Sequence, residues 1–412
     1  MQTQILPELL ATPAGQRVDA ILRKCVHCGF CTATCPTYQL LGDELDGPRG
    51  RIYQIKEVFE GLPADRSVQL HLDRCLTCRS CETTCPSGVD YGELIDIGRE
   101  QVESSVPRPF GERLLRRLLG SLLPYPSRHG WLFRSASALR GLLPAGLRQK
   151  APRIRPLGDF PAPRNDGSAG RVLLLEGCVQ STLSPNTNAA AAAVLQALGY
   201  EVLREPSPGC CGAVNQHLSQ PEQARRWVLG NLERWQALDR QQGIDFIVSS
   251  ASGCGVMLKD YPRILRQMSA VTDEQQSLVE RIRDLSELLD AETLRRRQPD
   301  FRAPEQRIAW HAPCTLTHGQ RLADRLRAQL EALGFRLSVP RDAHLCCGSA
   351  GTYSLLQPEL SKQLRDDKLD ALNAEAPDLI ITANVGCEHH LGSASELPVR
   401  HWIELVAEGL PR

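Results

Sequence analysis

Eight of the sixteen cysteines stand in two runs of identical spacing, Cys25-Val-His-Cys28-Gly-Phe-Cys31-Thr-Ala-Thr-Cys35-Pro36 and Cys75-Leu-Thr-Cys78-Arg-Ser-Cys81-Glu-Thr-Thr-Cys85-Pro86. Three thiolates so spaced fit one tight loop over one face of a [4Fe-4S] cube; the fourth lies too far along to close the same cube and reaches the other one. This pairs Cys25, Cys28, Cys31 and Cys85 on one cube, and Cys75, Cys78, Cys81 and Cys35 on a second. Pro36 and Pro86 turn the chain away after the fourth ligand. Zinc sites usually join one C-x2-C to another or to histidines. Two copies of the longer run, each closed by proline, favour iron-sulfur over zinc or structural thiols. Such centres move electrons and bind no organic acid themselves.

The other eight cysteines belong to an internal repeat. Its first copy runs from a strand-like segment over 171–177 to Cys178, then through a helix near 186–198 and a strand over 201–204 to Pro208-Gly209-Cys210-Cys211-Gly212. A helix near 221–238 and an apolar strand over 245–249 lead on to Ser252-Gly253-Cys254-Gly255. The second copy retraces this order: a strand over 307–311 to Cys314, a helix near 321–333, a strand over 335–339 to Leu345-Cys346-Cys347-Gly348, a helix near 358–372, and a strand over 378–382 to Val385-Gly386-Cys387. Cys178 to Cys210 and Cys314 to Cys346 both span 32 residues; the copies are offset by 136 there and by 133 at Cys254/Cys387. Strands alternating with helices predict βαβ units with a parallel sheet in each copy. Cysteines just past strand ends lie where ligands gather in open α/β sheets. Each copy should therefore bring four thiols to one mouth: Cys178, Cys210, Cys211 and Cys254, then Cys314, Cys346, Cys347 and Cys387. These sets are candidates for a further cluster in each copy, for zinc or another redox site such as a vicinal disulfide, or for inert core thiols. A core needs apolar bulk and not sulfur in both copies, which favours the cluster. His217, His311, His318, His344, His389 and His390 lie near these turns; each reads first as a satisfied loop histidine, with a metal or proton-transfer role as the alternative.

The elements that must hold these residues form an α+β, multidomain protein. A helical two-cluster module is expected over 1–100, a basic helical linker over 101–170, and α/β cysteine-rich domains with parallel sheets over 171–295 and 296–412. Forty residues separate Cys35 from Cys75, more than a small β-rich cluster fold needs, and 52–59 carry helical apolar spacing. From Arg108 to Arg155, eleven Lys or Arg face one acid, Glu112, with leucines interleaved and Pro124, Pro126, Pro144 and Pro152 cutting the stretch into short pieces. It reads either as helices covering their own protein with arginines in solvent, or as a basic amphipathic surface for an anionic membrane or acidic partner.

Bulk properties narrow the function classes. Lys+Arg and Asp+Glu both number 48 in 412 residues, so the basic excess of a nucleic-acid binder is missing. Cysteine-rich but without a basic-then-apolar leader over 1–18, the chain points to a reducing, cytoplasmic compartment and to metal ligands, not a disulfide framework. No run of about 18 uncharged apolar residues predicts a transmembrane helix; peripheral attachment to the cytoplasmic face of the inner membrane is compatible with this. No G-x-G-x-x-G follows a strand, and no serine–histidine constellation suggests hydrolysis.

Two ferredoxin-type boxes followed by Cys-Cys-Gly repeats resemble the heterodisulfide reductase-like cysteine-rich proteins. The first box, with Leu41-Gly-Asp-Glu-Leu-Asp-Gly-Pro-Arg-Gly-Arg-Ile-Tyr53, resembles the iron-sulfur subunits of bacterial glycolate oxidase (glycolate dehydrogenase). So do Arg74 through Gly88, Leu183-Ser-Pro-Asn-Thr-Asn-Ala189, Ala251-Ser-Gly-Cys-Gly255 and His344-Leu-Cys-Cys-Gly-Ser-Ala-Gly-Thr-Tyr353. The resemblance spans the chain apart from the basic linker. It implies an electron-transfer subunit: FAD-binding glycolate oxidase subunits would oxidise glycolate to glyoxylate, with D-lactate a second substrate, and this chain would pass the electrons through its clusters to quinone. FAD would sit on the partner only, and two [4Fe-4S] clusters would be carried by the N-terminal boxes. The heterodisulfide reductase type ends each repeat in C-x2-C; Ala251 and Asn384 stand at the first of those positions here, so a five-thiolate noncubane cluster lacks a ligand in both copies. Rival readings are a relay subunit for glycerol-3-phosphate dehydrogenase or lactate utilisation, a disulfide reductase acting at the Cys-Cys-Gly sites, and a non-enzymatic sensor.

Overall fold

In the N-terminal module proline opens the helices Pro13–Lys24, Pro36–Leu41 and Pro48–Phe59, and Cys25 and Cys85 cap the ends of Pro13–Lys24 and Ser80–Thr84. Thr12 Oγ1 accepts from Gly15 N at 3.0 Å while Pro13 opens the helix Pro13–Lys24, and Cys25 follows its last residue. Pro36 does more than turn the chain: it opens the short helix Pro36–Leu41, with Cys35 at its N-cap. Helices Pro13–Lys24, Pro48–Phe59, Arg66–Asp73 and Tyr91–Ser105 bury Val18, Ile21, Leu22, Ile55, Phe59, Leu72, Leu94 and Ile95 in one core, with Cys25, Cys75 and Cys81 at its edge. The computed structural model describes residues 1–142, 152–161, 167–205, 209–266 and 271–411. Leu143, Pro144, Arg148 and Lys150 of the linker, and Pro208 of the first repeat, lie outside them.

The described linker forms two helices, Phe110–Leu122 and Pro126–Ala138, longer than the short pieces its prolines suggested. Pro124 and Pro126 act at one joint, ending one helix and opening the next. The first helix keeps Arg113 and Arg117 in solvent, as the self-covering reading expects, but turns Arg116 inward and several leucines outward. Arg116 points inward to Asp73 at 2.9 Å, and Gly120 lies so close to Gln220 that a Cβ would fall 2.2 Å from its Oε1. Leu114, Leu118 and Leu122 face outward.

Each repeat is a four-stranded, all-parallel sheet. In the first, β1 (Arg171–Leu175), β2 (Glu201–Arg204), β3 (Phe246–Ser249) and β4 (Ile282–Asp284) run in the order β2-β1-β3-β4. In the second, β5 (Arg307–Trp310), β6 (Arg336–Ser338), β7 (Leu379–Thr382) and β8 (Val399–His401) run in the order β6-β5-β7-β8. Leu173 opposite Ile247 and Ala309 opposite Ile380 set equivalent registers. The edge strands β4 and β8 were not among the expected strands; Ile282-Arg-Asp284 carries two charges in three residues. The repeats share one core, in which the alanine-rich helix Pro185–Ala197 and the C-terminal helix Trp402–Glu408 pack with Val172, Leu174, Ile308 and Ile381. His401 ties the copies together. Its Nε2 donates to the Ser250 carbonyl at 3.0 Å while Nδ1 accepts from Ile403 N at 3.3 Å.

Candidate metal centres

Both cysteine runs fold into the same loop. His27 and Thr77 (φ 56° and 53°), then Gly29 and Arg79 (φ 82° and 61°), take left-handed backbone at equivalent places. Three of these are not glycine, so each costs on the order of 1–2 kcal/mol, and the surroundings must hold them. Arg99 holds the second loop by donating to the Leu72 and Cys75 carbonyls at 2.8 and 2.7 Å. Arg51, buried against Asp46, donates to the His71 carbonyl at 2.7 Å.

The loops bring the thiols together across the module. Cys25, Cys28, Cys31, Cys81 and Cys85 line one cavity of about 440 Å³. Cys35 lies on the other side, where its thiol and that of Cys75 act on Cys78 and Cys81. Burial, then the neighbouring Cys25 thiol, pushes Cys31 up to about 11. Burial, then Cys314, lifts Cys78 well above the usual thiol range, and burial, then Cys78, does the same for Cys81. A bound cation would offset this mutual repulsion and let the thiols ionise together. Thr77 N donates to Cys75 Sγ at 3.4 Å, as backbone amides do around a metal-bound thiolate. This donor set fits an iron-sulfur cluster in each half of the module.

The repeat thiols form two parallel chains. Cys178 Sγ and Cys210 Sγ lie 3.5 Å apart, Cys211 meets Cys254, and Gly212 N donates to Cys210 Sγ at 3.4 Å. Cys314 Sγ and Cys346 Sγ lie 3.7 Å apart, Cys347 meets Cys387, and Gly348 N donates to Cys346 Sγ at 3.4 Å. All sixteen cysteines are free thiols. Cys210, Cys211 and Cys254 border a cavity of about 350 Å³ that Leu175 also lines. In the second copy, a ring nitrogen of His311 lies with Cys347 and Cys387 Sγ, all three atoms within 4.8 Å of one another.

The second box is joined to both repeats. Cys78 packs with Leu76, Tyr353, Cys314 and Cys346 in one apolar cluster. Thr83 Oγ1 bonds His318 Nδ1 at 2.8 Å, and His318 Nε2 donates to the His344 carbonyl at 2.8 Å. Toward the first repeat, the Arg79 guanidinium forks onto Asp260, and Arg263 reaches Asp96 at 3.1 Å. The first box opens outward: Cys28 is exposed, with Val26 and Phe30 beside it at 67% and 61% exposure. His389 and His390 are satisfied by Ser184 and Ser361. Sequence reasoning missed Arg79 and Arg99; the signal for Arg79 was its place where the first box has Gly29.

Comparison with known proteins agrees with this geometry. The chain matches the 4Fe-4S dicluster domain family over residues 21–89 and the cysteine-rich domain family over 172–259 and 308–392. It is similar to a glycolate oxidase iron-sulfur subunit of Escherichia coli (strain K12), with 48% identity over 416 residues covering all of both chains. A probable glycolate oxidase iron-sulfur subunit of Bacillus subtilis (strain 168) is 31% identical over 89% of this chain and 87% of its own. Lactate utilization protein A of Bacillus licheniformis is 24% identical over 54% of this chain and 90% of its own.

Proposed function

This chain belongs to the glycolate oxidase iron-sulfur subunit family, and from that premise we propose that it carries electrons from an FAD-binding partner oxidising glycolate to glyoxylate toward membrane quinone. Bound iron-sulfur clusters supply one-electron chemistry. Cys25, Cys28, Cys31 and Cys85 hold the first cube, and Cys75, Cys78, Cys81 and Cys35 the second. The two thiol sets of the repeats hold further centres. The boundaries near 100, 170 and 295 separate module, linker and repeats. D-lactate is the second substrate, and the choice of hydroxy acid lies with the partner.

The observation that carries the reading is the contact of Cys78 with Cys314 and Cys346 while Cys28 stays open at the surface. Thiols of the second box and second repeat thus share one dry cluster, and the first box is left facing a partner. The helices Phe110–Leu122 and Pro126–Ala138 suit an anionic membrane. Phe110 and Trp131 stand 71% and 66% exposed beside Leu114, Leu118 and Leu132, with Arg113, Arg117, Arg128 and Arg134 on the same two helices. No helix among the described residues is long and apolar enough to cross a membrane.

In the assembled complex, Cys28→Ser is expected to abolish glycolate-driven reduction of the quinone acceptor while direct dye reduction at the flavin persists. Full quinone reduction by that variant would remove the relay role. Anaerobic protein should carry about 8 iron atoms if only the boxes load and about 12 to 16 if the repeats load too, at four per cube.

A further inference from the structure

The two repeats are not chemically equal, and the difference lies at one residue. At the end of β5, three residues before Cys314, stands His311; at the equivalent place in the first repeat, three residues before Cys178, stands Leu175. Leu175 lines the cavity bordered by Cys210, Cys211 and Cys254, so an apolar side chain fills this position adequately. His311 is 2% exposed and brings a polar ring to the same spot.

The ring is held by one nitrogen and open at the other. His311 N is fixed in the strand ladder by the Ile381 carbonyl at 2.9 Å. Nδ1 bonds Thr382 Oγ1 at 3.0 Å. Ser249, which takes the place of Thr382 in the first repeat, turns its hydroxyl to the Ala251 carbonyl instead. His311 and its holding bond therefore occur together in the second repeat. Among the described residues Nε2 has no hydrogen-bond partner. With Thr382 accepting from Nδ1–H, the lone pair of the ring lies on Nε2, and His311 offers a ring nitrogen within 4.8 Å of the Cys347 and Cys387 sulfurs. Ligating histidines are oriented this way, the far N–H held by a hydroxyl, carbonyl or carboxylate.

We propose that His311 Nε2 is a nitrogen donor to the metal centre of the second repeat, beside Cys347 and Cys387. The second repeat then holds a mixed imidazole–thiolate centre, while the first is bound by thiolates alone. This rests on the reading that the repeats hold iron-sulfur centres. Imidazole is neutral where thiolate is charged, so the second-repeat centre has the higher reduction potential of the two.

The test is pulsed EPR for nitrogen coupling on the anaerobic, partly reduced full chain, with iron and sulfide counted on the same sample. Wild type is expected to hold more than about 8 iron atoms per chain and to show one centre with a strongly coupled nitrogen that shifts to the ¹⁵N pattern when histidine is ¹⁵N-labelled. His311→Leu, which installs the residue of the first repeat, should lose that coupling and lower the potential of one centre. Iron above that count with no histidine nitrogen in the wild-type spectrum overturns the proposal alone. Iron at that count, with signals from the N-terminal boxes only, overturns the reading beneath it as well. The labelled wild-type spectrum decides the matter even if His311→Leu does not fold.

Discussion

Gly348, the last residue of the second Cys-Cys-Gly turn, offers a graded test of why that turn needs glycine. Its φ is +85°, and a Cβ would fall 2.5 Å from the Ser361 carbonyl oxygen and 3.0 Å from Leu364 Cβ. Gly351 also has positive φ, +62°, but nothing lies within 4 Å of its Cβ position. Gly212, its counterpart in the first repeat, has φ +96° and meets the Ala224 carbonyl only at 3.3 Å. Substitution by alanine at all three carries the left-handed penalty of about 1–2 kcal/mol, offset by about 0.4–1 kcal/mol of lost unfolded-state entropy. Gly351→Ala should therefore cost about 1 kcal/mol or less. Gly212→Ala should cost slightly more, because its neighbours need to give by only a few tenths of an ångström. At Gly348 the obstacle is backbone, since the Ser361 carbonyl belongs to the helix Pro358–Asn373 and cannot swing aside. Overpacking adds about 1–3 kcal/mol there, for a total of about 3 kcal/mol. Anaerobic denaturant titrations of the three variants, read as shifts in midpoint at constant slope, give the ranking. A Gly348→Ala variant within about 0.5 kcal/mol of Gly351→Ala, a typical additivity error, would refute close approach as the reason for the glycine.

Two further outcomes follow from the same structure. Burial holds His401 down to about 3, well below an ordinary histidine, while both ring nitrogens are engaged as a neutral ring; its stabilisation is full above pH 6.5 and drains as pH falls toward 3. The advantage of wild type over His401→Gln should shrink by about 2 kcal/mol between pH 8 and pH 5, measured as the difference between two denaturation curves, and a constant difference would exclude this linkage. Trp131→Ser combined with Leu118→Ser should weaken sedimentation with phosphatidylserine vesicles at least tenfold through lost apolar insertion, whereas binding left unchanged would assign the exposed helices to another partner.

The periodicities that were long and apolar were legible in the sequence. The helix Pro358–Asn373 and the strands Phe246–Ser249 and Leu379–Thr382 fall within a residue or two of their expected bounds. The edge strands Ile282–Asp284 and Val399–His401 were not, because they lie beyond the part of each copy that the cysteine repeat marks out and are held by pairing with β3 and β7. The outward turn of the leucines on Phe110–Leu122 was also hidden: an amphipathic pattern states that a helix has two faces, not which one meets the protein. Here Arg116 finds Asp73 inside and reverses the usual choice. Within the candidate sites, spacing grouped the cysteines but said nothing of depth. That Cys28 is exposed while Cys78 touches the repeats depends on tertiary contacts made by Arg79 and Thr83.

The left-handed loop residues have a consequence for durability. The two loops are near-twins in backbone, yet one is bare and the other is clamped by Arg79 to a separate domain. Dissolved oxidants therefore meet the sulfurs around Cys28 first, and those around Cys78 only after the surrounding shell has loosened. Corrosion of this protein should proceed from one end, in a fixed order, and a partly bleached preparation would be a uniform species stripped at the first box instead of a random mixture.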